Sequence, residues 1–349
     1  MKILNMCIFS DPRTQGGIQT FGRILKKFYR NKIIILTLSN STKKIYEVND
    51  LVEIGSNNFF FRLINKILKN RLREYLIKKE VEKNKWDVII FSFPYELKIL
   101  KDIKAKKIMV QHFSLEKFIK IANCVPKIQN LIKELDFFIV LSPYDKEKFQ
   151  KKFDILEEKI KVIRHTCNIE LLQEKKEKNK KLIMIARIEN YQKRFDLAIK
   201  AMKKLPDYIL DIYGDIYSQK DMDFLQEIIE KEKIVNVNFK GGTNKVQEKL
   251  DEAGIFIMTS DYEGYGITNI EAMRRGLPLI VRNTFEAAQD IVIDNGILLE
   301  KEWDEAKFVE AVRKVYDNYE YYSENSKKLG ERHSPEVIKK EWDKILMEE

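Results

Sequence analysis

Short runs of apolar, mostly β-branched residues alternate with amphipathic stretches along the whole chain. Ile33–Leu38 is the plainest, reading Ile-Ile-Ile-Leu-Thr-Leu with no polar face. Runs of this length without alternation fit strands buried on both sides. Similar runs stand at Lys2–Ser10, Val88–Phe93, Lys107–His112, Phe137–Ser142 and Lys161–Arg164. Helical periodicity fills the gaps, as at Thr20–Tyr29 and Pro143–Phe153. Strands separated by helices predict a parallel sheet covered on both faces.

A lysine-dense stretch, Glu174–Lys181, then interrupts the pattern and reads as a solvated linker. The alternation restarts behind it. Strands are expected at Leu182–Ala186, Ile209–Tyr213, Val237–Lys240, Ile255–Met258 and Pro278–Val281. Helices are expected at Arg194–Lys204, Lys220–Lys231, Val246–Glu252, Asn269–Arg275, Glu286–Ile293, Glu305–Asn318 and Pro335–Met347. The expected architecture is α/β: two Rossmann-like, doubly wound parallel-sheet domains at 1–170 and 171–330. The segment 331–349 is expected to be a C-terminal helix returning to the first domain. Open α/β sheets bind ligands at the carboxyl ends of their strands, so the expected active site is a cleft between the domains.

Composition narrows the class. With 349 residues and 44% hydrophobic content the chain can build two cores, which excludes disordered and collagen-like classes. Its apolar runs are strand-sized, far from the ~18 residues of a membrane span. The start, MKILNMCIFSD, reads as a strand and not a signal peptide, and Cys7, Cys124 and Cys167 have neither metal nor disulfide spacing. A soluble, cytoplasmic protein is expected. The charge is lopsided: residues 1–170 hold 34 basic and 19 acidic side chains, the remainder 30 and 35. The positive excess lies wholly in the first half, which points to an anionic partner, a membrane leaflet or a nucleic acid. No nucleic-acid motif is present, so no nucleic-acid partner is expected. Phe59–Ile77 has an apolar stripe at 60, 63, 64, 67, 68, 72, 75 and 76, with basic residues opposite and Glu74 its only acid. Such a stripe fits an anionic membrane surface or a crossover helix packed on the first sheet.

The strongest chemical signal runs from Ser260 to Pro278. An apolar strand delivers the chain to Glu263-Gly264-Tyr265-Gly266, and a helix begins at Ile267–Asn269. Glycines there admit unusual backbone angles and close approach to a ligand. The helix start offers free N–H groups and a positive dipole end, suited to a pyrophosphate. Glu271 follows Glu263 by eight residues and could accept from both hydroxyls of a ribose. A second cluster, Arg187 and Lys193, sits in the loop after another strand and supplies two cations for a diphosphate leaving group. Gly16-Gly17 after the first strand could bring backbone N–H groups to a phosphate, and His112 closes a later strand as a polar contact for a sugar. Asp221-Met-Asp223 matches a metal-holding D-x-D, yet it opens a helix, where acids complement the dipole. No metal is therefore expected.

These residues carry a family resemblance. The chain resembles the retaining glycosyltransferases of family 4, which have the two-domain GT-B fold, through the E-x(7)-E run at Glu263 and Glu271 inside EGYG…EAM…G-P. The Arg187/Lys193 loop, Gly214 after the strand in Asp-Ile-Tyr-Gly-Asp, and the Gly-Gly loop after the first strand add to it. The resemblance implies that Glu271 holds the ribose, and that Glu263 meets the donor sugar or its phosphate. It assigns Arg187 and Lys193 to the diphosphate and His112 to the donor sugar. Gly16, Gly17, Gly214, Gly264, Tyr265, Gly266, Ile267 and Thr268 would complete the donor site. The implied activity is metal-independent transfer of a hexose or N-acetylhexosamine from a nucleotide-sugar, UDP-linked by expectation. The acceptor would be a glycan, lipid-linked or glycoprotein acceptor, with the protein at the inner membrane leaflet. A sugar-nucleotide epimerase of the same fold and a non-catalytic partner subunit are the alternatives. The chain departs from the family pattern at Ala186, usually Gly, in the glycine-free Arg282–Asp290 loop, and at Arg164–Asn168.

Overall fold

The computed structural model describes residues 1–14, 16–38, 47–54 and 71–348. They separate into two compact units: Met1–Arg164 with Lys339–Glu349, and His165–Ile338.

Unit 1 is built on a sheet of seven strands: β1 (Ile3–Met6), β2 (Ile33–Thr37), β3 (Leu51–Glu53), β4 (Val88–Phe91), β5 (Lys106–Val110), β6 (Phe137–Val140) and β7 (Ile160–Val162). The spatial order is β3-β2-β1-β4-β5-β6-β7, with every neighbouring pair parallel. The chain thus fills one side of β1, then returns to fill the other, so the strand order switches between β1 and β4. Its core gathers Leu4, Ile89, Phe91, Met109, Phe118, Phe138 and Phe149, all under 2% exposed. Trp342 of the helix Pro335–Met347 lies against Phe21, and the Tyr29 hydroxyl donates to Asp343.

Unit 2 repeats the plan with β8 (Lys181–Ile185), β9 (Ile209–Tyr213), β10 (Val237–Gly241), β11 (Ile255–Met258), β12 (Leu279–Arg282) and β13 (Gly296–Leu299). The order is β10-β9-β8-β11-β12-β13, again all parallel, with the switch between β8 and β11. Two parallel Rossmann-like sheets are what the strand–helix alternation required.

Several expected elements differ in detail. The strand expected over Lys2–Ser10 stops at Met6, where a Ser10-to-Cys7 backbone turn begins. Val88–Phe93 shortens to Phe91 because Pro94 opens a helix. The helix expected over Arg194–Lys204 runs from Phe195 to Ala201 and tightens into a 3-10 turn over Met202–Lys204. A short helix that was not expected, Asn190–Lys193, precedes it, and the two meet at Arg194, which adopts φ +51°. The lysine run Glu174–Lys181 is not a solvated linker throughout. Lys176 is buried, donating to the carbonyls of Leu250 and Asp251, and desolvation lowers its pKa to about 8. Most of the Phe59–Ile77 stripe lies outside the described residues. Its described end begins the helix Arg71–Val81, which buries Ile77 and Val81 in the unit 1 core.

Candidate active site

The carboxyl ends of β8 and β11 meet at the switch point of unit 2, and the strongest sequence motifs gather there. Ala186 and Arg187 leave β8. Gly214 leaves the adjacent β9, and a Cβ on it would sit 1.8 Å from the Ala186 carbonyl oxygen. Glycine is required there because the two strand ends touch, so the site value of Gly214 is that closeness.

Arg187 extends to solvent with its side chain 49% exposed, steadied by its Nε on Glu189 (2.7 Å) and Nη2 on Gln192 (2.9 Å). Lys193 ends the short helix and donates to Glu263 at 2.6 Å. Both expected cations therefore stand at one strand end, each with an acidic partner that a diphosphate would share. Glu263 and Lys193 are only 11% and 14% exposed, so this ion pair is held in place and is not a loose surface contact.

Beneath that pair lies a network the sequence did not reveal. Asp261 accepts from Arg282 at the end of β12 (2.7 Å) and from Arg194 (3.1 Å), and Arg194 also binds Asp196 (3.0 Å). Thr259 donates to the backbone carbonyls of Lys193 and Arg194. Arg282 further donates to the Thr259 and Lys301 carbonyls. The left-handed Arg194 would cost about 1–2 kcal/mol if unsupported. Here the two carboxylates and Thr259 hold it, and with it the neighbouring Lys193. The glycine-free loop after β12 thus begins with an arginine that braces the Asp261–Glu263 turn, and Thr284 donates to the Ser260 carbonyl at 2.6 Å.

The turn ends on Gly266, at φ +78°, which opens the helix Ile267–Arg274. That helix has no side-chain cap and no acid in its first turn, leaving the N–H groups of Ile267 and Thr268 for a ligand. A Cβ at Gly266 would meet Asn269 Nδ2 at 2.5 Å and Met258 Cε at 3.2 Å. Gly266→Ala is therefore expected to destabilise unit 2 by about 2 kcal/mol, the sum of a left-handed backbone and a displaced buried amide. Urea unfolding followed by circular dichroism checks this, and an unchanged midpoint would refute the account of the turn.

Glu271, one turn into the helix, is half-buried, and its carboxylate makes no hydrogen bond among the described residues. Desolvation alone raises its pKa from 4.5 to about 7. A carboxylate desolvated without a partner is costly unless a ligand supplies donors. Tyr265 is a departure from expectation: its ring is buried edge-on to His165 and His333 and its hydroxyl lies on Asp290. Only its backbone remains for a donor, and Gly264 beside it is partly exposed.

Asp221 and Asp223 sit in the first turns of the helix Gln219–Glu232. Asp221 accepts from the Asn190 backbone and Asp223 from Gln219. Both carboxylates are engaged in local structure, and among the described residues no group of three acids, histidines or cysteines could hold a metal.

The remaining expected site residues belong to unit 1. Gly16 caps the helix Gly17–Phe28 with φ +150°, and that helix also starts without an acid or a side-chain cap. His112 follows β5, 8% exposed, its ring 4.8 Å from Phe21.

Comparison with known proteins fits this geometry. Residues 171–332 match the family described as Glycosyl transferases group 1. An uncharacterized glycosyltransferase of Haemophilus influenzae is 26% identical, the match covering 87% of this chain and 92% of that protein. A poly(glycerol-phosphate) alpha-glucosyltransferase of Bacillus subtilis is 30% identical over 44% of the chain, which spans only 24% of that protein's length. Among solved structures, Anabaena HepE in complex with UDP and glucose aligns over 100% of both chains with a TM-score of 0.80 at 14% identity. That likeness establishes the GT-B fold.

Proposed function

We propose that this chain, which carries a group 1 glycosyl transferase domain at residues 171–332, is a retaining glycosyltransferase using a UDP-linked hexose or N-acetylhexosamine. The observation that carries the reading is Glu271: a desolvated carboxylate without a donor among the described residues, on a helix whose N-terminal N–H groups have no side-chain cap. A ribose diol supplies two donors to such a carboxylate, and a diphosphate suits the helix start and the Arg187/Lys193 pair. The UDP and glucose bound by HepE and the alpha linkage named for the Bacillus relative support a UDP donor and retention. Thermal stabilisation by a panel of UDP-, GDP- and ADP-sugars tests the reading. Stabilisation by UDP-sugars is expected, and no response to any nucleotide would sink it.

In the reaction proposed, the bond from the sugar's anomeric carbon to the phosphate oxygen breaks while the bond to the acceptor oxygen forms on the same face. The departing phosphate oxygen takes the acceptor's proton. Arg187 and Lys193 offset the charge that grows on that oxygen. Glu263 holds the Lys193 ammonium in line and accepts from a hydroxyl of the donor sugar. The acceptor is a glycan, lipid-linked precursor or glycoprotein.

We read the charge work as done by these cations without a metal. Transfer is then expected to survive EDTA at full rate; loss on chelation and rescue by Mn²⁺ or Mg²⁺ would overturn this part. Among the described residues no helix is long and apolar enough to cross a membrane. The basic excess of residues 1–170 suits a peripheral position on an anionic leaflet, inside the cell. Flotation with phosphatidylglycerol vesicles, released by high salt, is the expected sign, and indifference to vesicle charge would exclude it.

A further inference from the structure

The unit 1 sheet has a switch point of its own, between β1 and β4, lined by side chains to which the donor reading gives no task. The segments leaving three adjacent strands each bring aromatic rings to it: Phe9 after β1, Phe93 after β4 with Tyr95 in the first turn of the helix Pro94–Leu100, and Phe113 after β5. The rings form a continuous row. Phe9 and Phe93 are 5.1 Å apart, Phe93 and Phe113 5.4 Å, and Phe9 and Tyr95 6.0 Å. Phe9 is 44% exposed although Ile8 beside it is 2% exposed, so the loop presents this ring at the surface while its neighbour enters the core. Two cations flank the row, Arg73 at 5.8 Å from the Phe9 centroid and Lys117 at 5.4 Å from that of Phe113.

We propose that this row is a subsite for a sugar bearing a phosphate, the part of the acceptor that unit 1 recognises; the proposal rests on the transferase reading. The C–H faces of a pyranose are weakly positive and pack on electron-rich ring faces. A neutral sugar would need no more than the rings. The two cations change the class, because a guanidinium and an ammonium flanking an apolar row favour an anionic substituent. An apolar surface with a few placed polar groups, at the carboxyl ends of the strands where their order reverses, is the usual form of a small-molecule site. The basic excess of residues 1–170 raises the local concentration of such an anion.

The test uses the full chain with saturating UDP, so that the probe cannot enter the nucleotide site. α-Glucose 1-phosphate and methyl α-glucoside are titrated by saturation-transfer NMR. The phosphate is expected to bind at least tenfold more tightly. Phe9→Ser, which alters an exposed ring, should weaken it severalfold with UDP affinity and melting temperature unchanged. Lys117→Glu should remove the preference for the phosphate and leave methyl α-glucoside binding as it was. Failure of both probes to bind, or equal binding in wild type and Phe9→Ser, overturns the proposal. So does a Phe9→Ser protein that leaves phosphatidylglycerol vesicles but keeps its sugar-phosphate affinity, since the row would then be a membrane contact. If wild type binds no UDP, the transferase reading itself has failed, which the UDP titration shows separately.

Discussion

Replacing Arg187 and Lys193 together by alanine is expected to cut sugar transfer at least a hundredfold with the fold intact. In the proposed reaction each cation offsets charge that develops only as the anomeric bond breaks, and one such contact is worth ~3 kcal/mol, or about a hundredfold in rate. Arg187 is half-exposed, and among the described residues its guanidinium is held by Glu189, Gln192 and the Tyr217 ring, so its loss opens no core. Lys193 leaves Glu263 unpaired, and that burial makes the two effects unequal. The Lys193 variant should lose nucleotide affinity as well as rate, because an unpaired Glu263 would then face the diphosphate. Arg187→Ala should mainly lower kcat. The two residues act on one leaving group, so the double variant is expected to fall short of the product of the singles. Initial rates with UDP-sugar, alongside unfolding midpoints, separate these cases. A double variant near wild-type activity would remove both residues from the chemistry.

The motif after β11 was legible because local chemistry dictates it. Gly266 has φ +78° and no room for a Cβ, the helix behind it has no cap, and Glu271 falls on its second turn. Each of those facts is a property of residues a few positions apart. The brace under the site was not legible, because Arg282 and Asp261 are brought together only by the pairing of β11 with β12. Nothing in the local sequence announces the left-handed Arg194 either; two carboxylates from different places stabilise it. The helix Tyr319–Glu331 carries no sequence signal for a related reason. Beyond Tyr319 at its first position, its buried residues are Ser323, Ser326 and Gly330, small and without an apolar period. Those residues let it close on the chain around the site helix: Ser323 and Ser326 donate to the carbonyls of Gly276 and Leu277, and a Cβ on Gly330 would lie 3.1 Å from the Arg274 nitrogen. Hydrophobic periodicity cannot report packing of that kind. Tyr265 reads from sequence as part of the glycine turn, yet its ring turns inward because His165 and His333 offer it an aromatic setting.

Glu271 should make donor binding depend on pH in a direction its surroundings fix. Desolvation holds the ligand-free carboxyl near pKa 7, so it is largely protonated at pH 5 and ionised at pH 8. A ribose diol donates to the ionised form and favours it, so binding must expel the proton at low pH. Affinity for UDP-glucose is therefore expected to fall as pH drops below 7. The loss is about fiftyfold between pH 7.5 and 5 if the bound carboxylate returns to its ordinary pKa. UDP-glucose is the right probe because its diphosphate has no group titrating in that window. Stability moves the opposite way. The folded-state pKa lies above the unfolded 4.5, so the native state binds more protons between the two values. Stability falls as pH rises through that range, and the penalty is complete above about 7. For a half-buried group, screened in part by solvent, the penalty is about 2 kcal/mol. Glu271→Gln removes the charge but keeps the shape. It should melt higher than wild type at pH 8, match it at pH 4, bind UDP-glucose weakly, and show no pH dependence of that binding. Calorimetric titration and melting curves across pH 5–8 read both halves. A Gln variant that is less stable at pH 8 would mean that Glu271 supports the fold; one that binds as tightly as wild type would mean that the ribose is held elsewhere.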